Sequence, residues 1–184
     1  MAKNIKKIKG IEGLVLIKPH YFMDQRGYTA EIYNDETLKE AGICDVFVQD
    51  TEALTHKGVI RGFHVNTVSP QAKLIRVVKG EVFDVVIDLR KNSPTYKSVH
   101  TEYLSKKNRK QLYIPAGFAH AYLALKDSIV TFKTTGHYIP GEETAFSYKS
   151  REFGIKWPLS EEIISLYSNG QKAPDFSEIE EDLA

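Results

Sequence analysis

The sequence predicts an all-β fold, a sandwich or a closed barrel, on three observations. Apolar and polar residues alternate with period two through the middle of the chain. Turn residues punctuate that alternation at short, even spacing, and no strand–helix–strand unit points to a parallel sheet. At 184 residues the chain suits one domain, 1–184, large enough to bury a sizeable core.

Gly13–Ile17 reads as the first strand, and Asp24-Gln25-Arg26-Gly27 turns the chain into a second, Tyr28–Tyr33. Asp35 to Gly42 reads as a short helix stopped by its glycine. Asp45–Asp50, Gly58–Phe63 and Lys73–Val78 follow as short strands, and Lys79-Gly80 into Glu81–Leu89 is the clearest hairpin signal. Lys97–Leu104, Lys110–Ile114, Ala121–Leu125 and Ile129–Thr135 bring the set to roughly nine or ten strands. After Trp157-Pro158 the character changes. Ser160–Leu166 suggests a helix and Pro174–Ala184 an acidic, loose end, an appendage from about residue 159.

Twenty-five basic and 24 acidic side chains leave a net charge of +1, so no global field recruits nucleic acid. The single cysteine, Cys44, excludes an internal disulfide and a multi-cysteine metal site, and it fits a reducing compartment. No segment has the apolar run of a signal peptide or a bilayer span, which makes a cytoplasmic, membrane-free protein the expectation.

Two histidines stand out. Pro115-Ala116-Gly117-Phe118-Ala119-His120 combines a fixed φ with a permissive glycine and delivers an imidazole into the next strand. Arg61-Gly62-Phe63-His64 reads as a second glycine turn doing the same. In Glu81–Leu89, Phe83, Val85, Ile87 and Leu89 share one face, while Val82, Asp84, Val86 and Asp88 share the other. Asp84 is therefore a mid-strand carboxylate flanked by valines. It needs a partner, either a lysine or arginine for structure or a histidine that it orients. His64, Lys73, Asp84 and His120 form one candidate catalytic set. A metal is not expected: His64 has Gly62 and Asn66 two residues away on either side, and His120 alone cannot hold a transition metal. Arg26, Arg61, Lys73 and Arg76 could meet a diphosphate, and Phe22 and Tyr138 could stack on a base or pack in the core.

Three long stretches carry a family resemblance. They are Arg61-Gly62-Phe63-His64 with Pro70 through Val85, Arg109 through His120, and Phe153-Gly154-Ile155-Lys156-Trp157-Pro158-Leu159. From about Gly13 to Pro174 the chain resembles the dTDP-4-dehydrorhamnose 3,5-epimerases. The resemblance implies a double-stranded β-helix of the cupin or jelly-roll type, a homodimer, and no metal or organic cofactor. It also implies inversion at carbons flanking the C4 ketone of a nucleotide-linked 6-deoxyhexose, in the biosynthesis of cell-surface polysaccharide sugars. His64 would be the base and Lys73 the group facing the enolate oxygen, with His120 and Asp84 in support. Arg26, Glu31, Gln49, Arg61 and Glu143 match substrate-contacting positions, with Asp50 and Thr51 beside Gln49 and with Phe22 and Tyr138 near the base.

Three departures accompany it. Phe132-Lys133-Thr134-Thr135 has a phenyl ring where the family carries its acid tyrosine. Leu166-Tyr167-Ser168-Asn169-Gly170 lacks the aspartate that pairs with the base, and Gln49-Asp50-Thr51 replaces Gln-Asp-Asn. The expectation is an epimerase acting on one or both carbons. The alternatives are a mono-epimerase, a ketoisomerase working through an enediol, or a non-catalytic nucleotide-sugar binder.

Overall fold

The computed structural model describes residues 4–167 and 173–183. In chain order its strands are β1 (Asn4–Lys7), β2 (Val15–Lys18), β3 (Tyr21–Asp24), β4 (Gly27–Ala30), β5 (Gln49–Thr55), β6 (Ile60–Asn66) and β7 (Lys73–Lys79). There follow β8 (Glu81–Asp88), β9 (Val99–Ser105), β10 (Gln111–Ile114), β11 (Phe118–Ala124), β12 (Ser128–Thr134) and β13 (Glu143–Ala145). Helices α1 (Asp35–Glu40), α2 (Glu161–Tyr167) and α3 (Phe176–Ile179) are short.

Two antiparallel sheets face each other, ordered β1-β2-β10-β7-β12-β5 and β13-β6-β11-β8-β9, while β3 and β4 pair only with one another. Ile75, Val77, Val82, Val86, Leu112, Tyr122 and Val130 fill the space between the sheets. The outer face of the second sheet is buried as well. Phe83, Val85, Ile87 and Leu89 lie under a cover that includes Phe146, Phe153, Ile164, Phe176 and Leu183. The predicted parity of this strand thus maps onto two separate cores, which is why β8 is apolar on both faces.

The acidic end is not loose. Asp175 caps α3 with a full capping box, and Phe176 is fully buried against the rings of Phe146 and Phe153, at 5.1 and 4.8 Å. Lys97 ties the same region down by pairing with Glu152 and Glu180. One aromatic anchor outweighs the surrounding charge, because burying a phenylalanine is worth about 2–3 kcal/mol.

The Lys79-Gly80 turn is not a hairpin, since β7 and β8 lie in different sheets. Gly80 has φ +80°, and a Cβ there would sit 2.4 Å from Ser128 Oγ, so glycine is needed where the chain crosses between layers. The strand expected at Asp45–Asp50 begins instead at Gln49, because the ladder to β12 runs from Gln49↔Thr134 to Thr55↔Ser128. Val46 and Val48, which suggested a strand, are exposed. The reading along the sequence also omitted β1, β3 and β13.

Replacing Phe176 with alanine should cost about 3–5 kcal/mol in chemical denaturation, the range for a buried aromatic truncation. A loose end would give a change near zero.

Candidate active site

A cavity of about 560 Å³ opens between the sheets, within the range of small-molecule sites, roughly 300–1,000 Å³. Its position depends on Gly62, which lies inside β6 rather than in a turn. With φ +110°, this residue could not carry a Cβ, which would fall 2.3 Å from the His120 carbonyl oxygen. Glycine therefore lets β6 close on β11, and the register His120↔His64 sets two imidazoles side by side on the cavity wall. The Pro115–Gly117 turn does precede β11, and His120 is its third residue.

Asp84 is fully buried, and its Oδ2 meets His120 Nε2 at 2.8 Å. Of the two partners open to it, it has the histidine, which fixes the ring's orientation. Arg61 runs along the β5 edge, donating from Nε to Thr55 Oγ1 at 2.9 Å and from Nη2 to the Leu54 carbonyl. Tyr122 OH shares Thr55 Oγ1 at 3.0 Å.

Glu143 faces both reactive side chains. Its Oε2 is 3.6 Å from His64 Nδ1 and its Oε1 is 3.7 Å from Lys73 Nζ. Burial lowers the pKa of His64 below the ordinary imidazole value. Glu143 opposes that, while Lys73, His120 and Arg61 add to the lowering. The result favours a neutral imidazole, able to take a proton, near neutrality. Burial likewise lowers Lys73, against Glu143 and Asp84, which favour its ammonium form.

The opposite wall comes in rows set by register. Lys73, Thr134 and Gln49 stand side by side on β7, β12 and β5, and Ile75, Phe132 and Thr51 form the next row. One row is polar; the other offers an apolar surface with a single hydroxyl. Tyr138 lies at the rim, 61% exposed, with its amide donating to Gln49 Oε1 at 3.0 Å.

His64, Lys73, His120, Gln49, Thr51, Arg61, Phe132, Tyr138 and Glu143 thus all line one cavity. Asp50 does not. Strand parity turns it to the other face, where Lys133 Nζ meets its carboxylate at 2.6 Å. Phe22, Arg26 and Glu31 also lie outside the cavity of the single chain. The first two belong to the separate β3–β4 hairpin. Phe22 rests edge-on to His20, Arg26 is 86% exposed and pairs with Asp24, and Glu31 accepts a bond from Asn34. Gly170 lies outside the described residues. Asn66, Gln71, Tyr122 and Thr134 line the cavity but were not picked out from the sequence. Period two finds three of them, Asn66 from His64, Tyr122 from His120 and Thr134 from Phe132.

Gly62→Ala should destabilise the fold by about 2–4 kcal/mol, since it adds positive-φ strain to a backbone clash. Denaturation of this variant beside an exposed-loop Gly141→Ala control checks it.

Comparison with known proteins agrees with this geometry. Residues 9–178 match the family model for dTDP-4-dehydrorhamnose 3,5-epimerase. The dTDP-4-dehydrorhamnose 3,5-epimerase of Methanothermobacter thermautotrophicus is 43% identical over 150 residues, 81% of either chain. The crystal structure of that enzyme from Elizabethkingia anophelis superposes with a TM-score of 0.89 at 31% identity, over 96% of this chain and 97% of the other. The dTDP-6-deoxy-D-glucose-3,5-epimerase of Legionella pneumophila, in complex with dTDP-4-keto-L-rhamnose, gives 0.83 at 33% identity, over 95% and 98%. A cupin-type barrel with its paired histidines, lysine and buried aspartate, matched along nearly its whole length, belongs to the dTDP-4-dehydrorhamnose 3,5-epimerase family.

Proposed function

We propose that this protein epimerises a nucleotide-linked 4-keto-6-deoxyhexose, with dTDP the carrier that its relatives' names specify. The observation that carries the reading is a neutral-leaning imidazole and a lysine sharing one cavity and one carboxylate. His64 removes the hydrogen α to the C4 ketone. Lys73 stabilises the enolate oxygen that forms, an electrostatic contribution that grows as the bound sugar fills the cavity. The His120–Asp84 pair holds the wall on which His64 stands. Arg61 at the mouth suits the diphosphate and the exposed Tyr138 ring suits the base.

Inversion needs a proton from the face opposite His64, and Phe132 on that wall has none to give. Water entering at the mouth supplies it, which favours inversion at a single carbon. A second reading draws on His120 standing beside His64. Two imidazoles on one face could move the ketone through an enediol without inversion.

Two further features belong to this proposal. The β3–β4 hairpin stands apart from both sheets and presents Phe22, Met23 and Tyr28 to solvent. In a homodimer it can bring Phe22 and Arg26 to the second copy's cavity, which reconciles their expected substrate contacts with their place in the single chain. No helix among the described residues is long and apolar enough to cross a membrane.

Incubation with dTDP-4-keto-6-deoxyglucose in deuterium oxide should place deuterium at one carbon, C3 or C5, with inversion. His64→Asn should lower that exchange by about a thousandfold or more while substrate still binds. Migration of the ketone to C3 would support the enediol route instead. No exchange at either carbon with dTDP-, CDP- or GDP-linked substrates would defeat the reading.

Phe132→Tyr restores a phenol on the wall facing the base and should raise exchange at the second carbon by about tenfold or more. Counting deuterons per turnover by mass spectrometry checks this.

A further inference from the structure

Glu143 occupies a place that substrate contact alone does not explain. It sits on β13 opposite Asn66, two residues from the Ala145↔His64 pair, so its side chain shares the cavity face with His64. Lys73 belongs to the other sheet. One carboxylate therefore spans the two layers, with one oxygen toward the imidazole and the other toward the ammonium.

The segment that delivers it is laced to the rim. Gln71 Nε2 donates to the His137 carbonyl at 2.9 Å, Ser69 Oγ donates to Glu142 Oε2 at 2.6 Å, and the Tyr138 amide is held by Gln49. Gly136 lies so close to Gln71 that a Cβ would fall 2.8 Å from its Nε2. Glu143 is thus presented by a fixed frame and not by a free loop.

We propose that Glu143 is a positioning residue, its two oxygens set between His64 Nδ1 and Lys73 Nζ so that one carboxylate fixes the spacing of base and cation and leaves His64 Nε2 to face the sugar as the base. This rests on the epimerase reading and gives Glu143 a part different from the substrate contact that the family resemblance implies. It also supplies a carboxylate to the base in a chain with glycine at position 170. A carboxylate charge beside an imidazole and an ammonium favours the protonated form of both.

The groups facing His64 are Glu143 from β13, Lys73 from β7, Arg61 from its own strand and His120 from β11, with Asp84 behind His120; Glu52 of β5 lines the same cavity. Glu143 alone favours both the imidazolium and the ammonium. Removing its charge makes both groups lose their protons at lower pH. The base must be neutral and the lysine charged, so the acid and alkaline limbs of the rate profile should both move to lower pH.

The test compares Glu143→Gln and Glu143→Asp with the unaltered protein. In the substrate-free protein, the His64 midpoint followed by NMR should fall by about half a pH unit or more in Glu143→Gln, and Glu143→Asp should recover part of it. In deuterium exchange, kcat should fall about 10–100-fold with KM within about threefold, the scale of a lost carboxylate behind a histidine. An unmoved His64 midpoint, or a KM raised about tenfold with both limbs in place, overturns the proposal. The titration needs no substrate, so it decides the role of Glu143 even if the exchange experiment sinks the epimerase reading.

Discussion

The close approach of β6 and β11 at Gly62 is the constraint on which the site depends. Only a residue without a Cβ lets the two backbones meet there, and that meeting sets His64 against His120. Each later step inherits it. His120 reaches Asp84 because β11 also pairs with β8, with Tyr122 opposite Asp84 and His120 opposite Val86. A carboxylate buried without a partner would cost several kcal/mol, so the ring is held firmly where it serves the cavity. The site is less a cluster of reactive groups than a consequence of how three adjacent strands pair, with the register of β6 against β11 shifting just past His120.

Across the lumen, the six-stranded sheet supplies what the five-stranded sheet lacks. It brings a cation from β7 and a wall graded from polar to apolar by the rows through β12 and β5. The two sheets meet chemically at Glu143. Reactive geometry here is set between layers rather than within one, so small changes in sheet separation would be felt as changes in how base and cation cooperate.

Much of this was legible in the sequence. Alternation along Glu81–Leu89 sorted the side chains correctly, because a period of two leaves no freedom once a strand is granted. The glycines beside the two histidines marked tight backbone, though Gly62 signals a close approach and not a turn. Other features were not legible for physical reasons. A glycine turn between two apolar strands looks the same whether the strands pair or part, so Lys79-Gly80 hid a crossing between sheets. The acidic end hid its anchor because one aromatic residue, Phe176, carries the burial. Asp50 and Thr51 differ by a single step of parity, which follows from a ladder partner far along the chain. Phe22 and Arg26 sit on a hairpin that pairs with neither main sheet, so the fold of the single chain leaves them outside the cavity.

Strand β8 serves two masters at alternate positions. Its even-numbered residues face the core between the sheets, where Asp84 holds His120, and its odd-numbered ones grip the carboxy-terminal cover. The two duties are therefore open to selection separately. A change at Asp84 reaches the site through His120, while drift in the cover need not reach the reaction. A scaffold divided this finely can explore new substrates without first surrendering its stability.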